Sequence, residues 1–148
     1  MVSSYSGDYE ISGIIDPFLQ VQIIVLFRRL GEGNEAISEE INDVLTQVST
    51  NTPANKNTGN AVLYECVRTI LVIESSTTLR TLAINILGKF LATKESSSSL
   101  PKNLRYVALA SLAKVVKYDL NAVQKHKGTI LDCLKVILNG KINLNNIY

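Results

Sequence analysis

The chain has 148 residues, 46% hydrophobic and 19% charged, with 15 basic and 13 acidic side chains and a net charge of +2. That length suffices for one domain with a real core, and the charge falls short of the roughly one quarter usual in soluble domains, as suits a segment partly covered by other protein. Basic residues are scattered, with no run denser than Lys125-His126-Lys127, which excludes a dedicated nucleic-acid surface; the roughly 18-residue apolar run of a membrane span and the pattern of a signal peptide are absent too.

Residues 1–15 read as an N-terminal extension, and the first helix begins after it. Asp16 can cap, Pro17 presets the first turn and Gly31 stops it. Phe18, Leu19, Val21, Ile23, Ile24, Val25, Leu26, Phe27 and Leu30 make this helix apolar nearly all round, which predicts cover on more than one side. A second helix, about Asn34 to Ser49, is amphipathic through Ile37, Ile41, Val44, Leu45 and Val48; Glu35, Glu39 and Glu40 suit its N-terminal end.

Asn51 to Asn57 reads as a loop around Pro53, followed by a helix over Ala61 to Glu74. Ser75 to Thr78 forms a turn before the Leu79 helix. Lys94 to Leu100, with four consecutive serines, is a flexible connection, and Pro101 opens the Leu104 helix. Asp119 or Asn121 caps a last helix carrying Val123, Ile130, Leu131, Leu134, Ile137 and Leu138. Gly128 inside it costs roughly 1 kcal/mol relative to alanine.

Two of these helices are near copies. Leu79-Arg80 to Leu91 and Leu104-Arg105 to Val116 share the order Leu-Arg-x-x-Ala-apolar-x-x-Leu-x-Lys-apolar, and Leu19 to Leu30 is a weaker version. The odd-numbered helices start near residues 17, 60 and 102, against a repeat of roughly 40–47 residues in HEAT and armadillo units. The fold class is therefore all-α, an α-solenoid of HEAT/armadillo-like helix pairs with about six helices and no strand. A compact six-helix bundle suits the same pattern.

Catalytic chemistry finds little to work with. His126, the one histidine, lies between two lysines and reads as part of a solvated face. Cys66 and Cys133 sit in apolar helical context without a second thiol or a histidine at ligand spacing, so they read as buried free thiols. Gly31 and Gly33 form no phosphate loop, and the serine run holds no nucleophile elbow. We expect no enzyme, no catalytic or metal-ligating residues and no cofactor. Weak candidates for partner contact are Arg28, Arg29, Arg80, Arg105, Lys125 and Lys127; the in-phase Arg80 and Arg105 favour a structural role.

Specific words add to the periodicity. Asp16 to Val21 (DPFLQV), Thr58 to Tyr64 (TGNAVLY), Leu82 to Leu91 (LAINILGKFL), Asn103 to Leu109 (NLRYVAL) and Asn121 to Leu134 (NAVQKHKGTILDCL) closely resemble the gamma-adaptins. These are large subunits of the clathrin adaptor complex of the trans-Golgi network and endosomes. The resemblance runs from Ile11 to Lys135, and the Asn-Leu-Arg-Tyr-Val-Ala-Leu word is shared in similar form by other large adaptins. It implies an internal piece of an α-solenoid trunk that scaffolds vesicle-mediated protein transport. Partners on this reading are the second large, medium and small adaptor chains and an Arf-type small GTPase. The location would be cytoplasmic and peripheral on trans-Golgi and endosome membranes and coated vesicles, with no nucleic acid. Another adaptin or coatomer-type large subunit, or an unrelated HEAT/armadillo scaffold, is the alternative.

The boundaries follow: 1–15 extension, 16–138 trunk-type segment, 139–148 divergent tail. The Lys94 to Pro101 connection is longer than the family's usual one, and its serines are candidate phosphorylation sites. After Lys135 the words stop, and Val136 to Tyr148 reads like translated AT-rich non-coding sequence. This predicts a truncated or misjoined reading frame, which sequencing the transcript across Leu134 decides. An isolated segment of this kind is expected to expose apolar surface at its ends and to self-associate.

Overall fold

Asp16 and Pro17 start the first helix as the sequence predicts. In the computed structural model, which describes residues 9–92 and 102–135, α1 spans Pro17–Gly31 and the Asp16 carboxylate accepts from the Leu19 amide at 3.1 Å. Ahead of it lies a two-residue ladder absent from the sequence reading, β1 (Glu10–Ile11) against β2 (Ile14–Ile15). Ser12 and Gly13 turn it with φ of 58° and 79°, the double positive φ of a tight hairpin turn. Two residues per strand are too few for an alternation signal, so the sequence pattern gave no warning of it.

The remaining helices are α2 (Glu35–Asn51), α3 (Asn57–Ile70), α4 (Thr77–Ala92), α5 (Lys102–Val115) and α6 (Leu120–Gln124). A further helix, α7, is described over 127–135. The class is all-α, as expected, and the serine run and the tail after Lys135 lie outside the described residues. Two compact units, 1–83 and 84–148, divide within α4.

In the first unit α1 and α2 form a helical hairpin, and α1 packs chiefly against α3, which also meets α2. Odd-numbered helices side by side with the even one across from them is the arrangement of stacked helix pairs. Ile24, Ile41, Leu45, Leu63, Val67 and Ile70 fill the space between them, each side chain contributing roughly 1.5–3 kcal/mol by leaving water. Polar cross-links register the stack. The Thr69 hydroxyl donates to the Ile24 carbonyl (3.2 Å) and the buried Ser38 hydroxyl to the Gly31 carbonyl (2.8 Å). Ser38 also accepts from the Glu74 amide at 3.3 Å, drawing the end of the α3 segment onto the α1–α2 corner.

These links move two predicted boundaries. Glu74 is outside α3, because Leu71 to Ile73 wind as a turn on Val67 and Thr69 while Ser75 donates to the Ile70 carbonyl. α3 begins at Asn57 instead of Ala61, and Gly59 in its first turn lets the Pro53 carbonyl lie against the helix where a Cβ would be. α4 also starts early, at Thr77, since the Ser76 hydroxyl accepts from the Leu79 amide.

In the second unit α5 packs on α6, over a core of Leu87, Phe90, Ala108, Leu112, Val115 and Val123. The expected single last helix is broken at Lys125–His126, so Gly128 falls in the first turn of α7 instead of a helix interior. His126 sits at the break. Its ring lies against Gly88, in the space a Cβ there would occupy, so the residue is half-buried and not on a solvated face. The two sequence copies share one burial phase at their centres and differ at their ends, where Leu79 and Leu91 are buried but Leu104 is half-buried and Val116 exposed. Leu79, Ala83, Leu87 and Phe90 are buried in the first, Ala108, Leu112 and Val115 in the second, with Lys89 and Lys114 exposed in both.

Gly59→Ala should lower stability by about 1–3 kcal/mol, because the Pro53 main chain must move. Gly33→Ala should lower it by about 1 kcal/mol, through its φ of +72° alone, in open space. Urea denaturation followed by circular dichroism checks the ranking; equal losses would remove the role assigned to the Pro53 contact.

Candidate protein-interaction surface

α1 is not covered on more than one side by the described residues. Pro17, Ile24 and Gly31 are buried on its inner face, while Phe18 (74% exposed), Leu19, Ile23, Leu26 and Leu30 face outward. Leu19, Ile23, Leu26 and Leu30 are spaced four, three and four residues apart. This is the seam spacing by which one helix receives another. Among the described residues only the inner face of the helix is occupied.

Each basic residue singled out in the sequence has a distinct setting. Arg28 points inward and pairs with Glu65 of α3 at 2.8 Å, their side chains 13% and 14% exposed. Glu65 accepts from Arg68 on its other oxygen, also at 2.8 Å, and Arg68 lies over the Tyr64 ring 5.7 Å from its centre. Arg28 therefore ties α1 to α3, whereas Arg29 projects beside the apolar seam. Arg80 donates to Ser75 in the turn before its own helix, at 3.0 Å, and Arg105 is half-buried and engaged. Lys125 and Lys127 are exposed on either side of His126. Within the first unit Arg28 and Arg80 are engaged with different partners, Glu65 and Ser75, and form no common site.

Chemistry-bearing groups are dispersed. No group of three or more His, Cys, Asp or Glu among the described residues is placed to hold a metal ion, and no helix among them is long and apolar enough to cross a membrane. Cys133 donates to the Leu91 carbonyl at 3.6 Å. Burial pushes the Cys66 thiol up to about 11; the Ser49 hydroxyl opposes the rise and the Glu65 charge adds to it. A thiol so held is protonated, and a poor nucleophile, at neutral pH.

One feature escaped the sequence reading because the net charge of +2 conceals it. Residues 1–83 carry five basic and ten acidic side chains, and residues 84–148 carry ten basic and three acidic. The boundary that separates them falls inside a helix, so no linker or composition break marked it.

The sequence profile described as Adaptin N terminal region matches residues 2–147. The AP-1 complex subunit gamma of Dictyostelium discoideum is 51% identical over 133 residues, 90% of this chain and 14% of that protein. The AP-1 complex subunit gamma-like 2 of Homo sapiens is 51% identical over 131 residues, 88% of this chain and 16% of that protein. The AP-1 complex subunit gamma-1 of Saccharomyces cerevisiae is 43% identical over 135 residues, 86% of this chain and 16% of that protein. The chain spans about one-seventh of the length of these relatives.

Arg28→Ala should cost about 1–3 kcal/mol, since it removes a part-buried charged hydrogen bond and leaves Glu65 to Arg68 alone. Arg29→Ala should stay within about 0.5 kcal/mol; thermal melts of the two variants test the difference. The raised Cys66 pKa has a defined sign. The folded thiol holds its proton more tightly than the unfolded one, so the contribution is complete below the ordinary value of about 8.5 and is lost as pH rises toward about 11. Stability should fall across that alkaline window, and Cys66→Ala should flatten the fall.

Proposed function

Because the chain belongs to the adaptin N-terminal region family, we propose that it is a scaffold segment of a gamma-type large subunit of the AP-1 clathrin adaptor complex. Its action is binding, not catalysis, in vesicle-mediated intracellular protein transport. The partners are the second large, medium and small adaptor chains. The site of action is the cytoplasmic face of trans-Golgi and endosomal membranes, with an Arf-type GTPase as recruiting partner.

The observation that carries this reading is the open seam on α1. A scaffold must keep its own helices in register while leaving apolar surface for others. Here the two tasks fall on opposite faces of one helix. Leu19, Ile23, Leu26 and Leu30 present the seam, while Thr69, Ser38 and Glu65 hold the helix from behind through hydrogen bonds to Ile24, Gly31 and Arg28. An incoming helix with the same seam spacing buries those four side chains without disturbing the registering bonds.

The test is co-expression of the full chain with recombinant large, medium and small adaptor subunits, followed by affinity capture and size-exclusion chromatography. Co-elution of the wild type is expected. Leu26→Glu with Leu30→Glu should abolish it, because two carboxylates would be desolvated at the seam, and should leave the melting temperature unchanged, because both side chains are exposed. Absence of co-elution for the wild type overturns the reading. Equal capture of the double variant overturns the role of the α1 seam.

A further inference from the structure

We propose that the second unit carries a contact surface for anionic membranes at the α5–α6 corner, residues 114–120. The corner has both ingredients of an interfacial contact in one short stretch. Lys114 and Lys117 are exposed, and between and beyond them stand Val116 (40% exposed), Tyr118 (85%) and Leu120 (52%). The backbone under these side chains is pinned. The amides of Tyr118 and Asp119 both donate to the carbonyl of Val115, at 2.9 Å, and that of Val116 donates to the Leu112 carbonyl at 3.0 Å. Val115 and Leu112 are themselves buried, so the exposed side chains stand on a backbone anchored to the core.

The electrostatic setting supports an anionic occupant. The described part of this unit, 84–92 and 102–135, holds eight basic side chains and two acidic ones. Both acids are engaged locally: Asp119 accepts from the Ala122 amide at 2.9 Å, and Asp132 pairs with Lys135 at 3.4 Å. The corner's own carboxylate, Asp119, is half-buried and turned to the first amides of α6, so the corner keeps one net positive charge within a unit whose described residues carry six more cations than anions, and that field attracts negative charge.

The chemistry selects a lipid surface over a nucleic acid. The cations at the corner are lysines, which meet phosphate as point charges without the forked geometry of arginine. The apolar groups include aliphatic Val116 and Leu120, which suit the headgroup–acyl boundary, where tyrosine also settles. A base-stacking surface would need aromatic faces in series. Tyr106 on α5 also stands exposed, more than two turns from the corner. The inference goes beyond the scaffold reading and rests on it only in placing the protein beside a membrane; the test uses the chain without other subunits, so the two fail separately.

The experiment is co-sedimentation of the full chain with vesicles of phosphatidylcholine alone and of phosphatidylcholine with phosphatidylserine. Binding to the serine-containing vesicles only is expected, and raising salt from about 0.05 M to about 0.5 M should remove it. Lys114→Gln with Lys117→Gln should lower partitioning about 25-fold, at about fivefold per lysine. Tyr118→Ser should lower it without altering the salt dependence. The charge-matched control, Ala36→Glu with Gln47→Glu on exposed positions of α2, should bind as the wild type does. Equal loss in the control, equal binding to neutral vesicles, or tighter binding to a single-stranded RNA oligonucleotide each overturns the proposal.

Discussion

The first unit depends on the close packing of α1 against α3, fixed by a hydroxyl of one helix reaching the main chain of the other. The Thr69 side chain donates to the Ile24 carbonyl across the interface. A helix carbonyl has a second lone pair, so this bond adds to the α1 ladder without breaking it. Because Thr69 is fully buried, its hydroxyl needs this or an equivalent acceptor, and the helices cannot slide without orphaning it. Ser38 does the same at the far end of α1, between the Gly31 carbonyl and the Glu74 amide. Two such bonds, near the middle and the end of one helix, fix both its position and its rotation.

Rotation matters because it decides which residues are left outside. With Ile24 and Gly31 turned inward, the seam Leu19, Ile23, Leu26 and Leu30 must face outward. The Arg28–Glu65 pair reinforces that choice at the edge of the buried face. A pair this poorly exposed gains little net energy over an apolar replacement, yet breaking it leaves a charge with fewer partners, so it specifies alignment more than it adds stability. An apolar side chain would permit several rotations of α1; the pair is satisfied by one.

Glycines contribute where backbones must meet. Gly59 admits the Pro53 carbonyl at the start of α3, and Gly88 admits the His126 ring where α6 gives way to α7. The second contact shows how a titratable side chain with lysines on both sides in sequence can still be half-buried. Its neighbours along the chain point to solvent, while the ring turns toward α4. The charge partition works on a larger scale. An acidic first unit and a basic second unit give a near-neutral whole, so the net charge says little about what either unit attracts.

The sequence by itself determined the helical class, the cap at Asp16, the choice of Asp119 or Asn121 for the cap of α6, the shared phase of Ala83 with Ala108 and Leu87 with Leu112, and the family. All of these rest on local chemistry or on ordered words of sequence. Capping needs one carboxylate or amide a turn from an amide, and burial phase follows from side-chain spacing along one helix. Tertiary structure alone decided which half of the all-apolar α1 is covered, that Arg28 is spent on Glu65 while Arg29 is not, and that His126 is drawn against Gly88. It also set where α3 ends. Each of these is a choice between two locally acceptable states, settled by a partner that is distant in sequence: 45 residues for Ile24 and Thr69, 37 for Arg28 and Glu65. A pattern read along one helix contains no term for such a partner, which is why those outcomes could not be read before the helices were brought together.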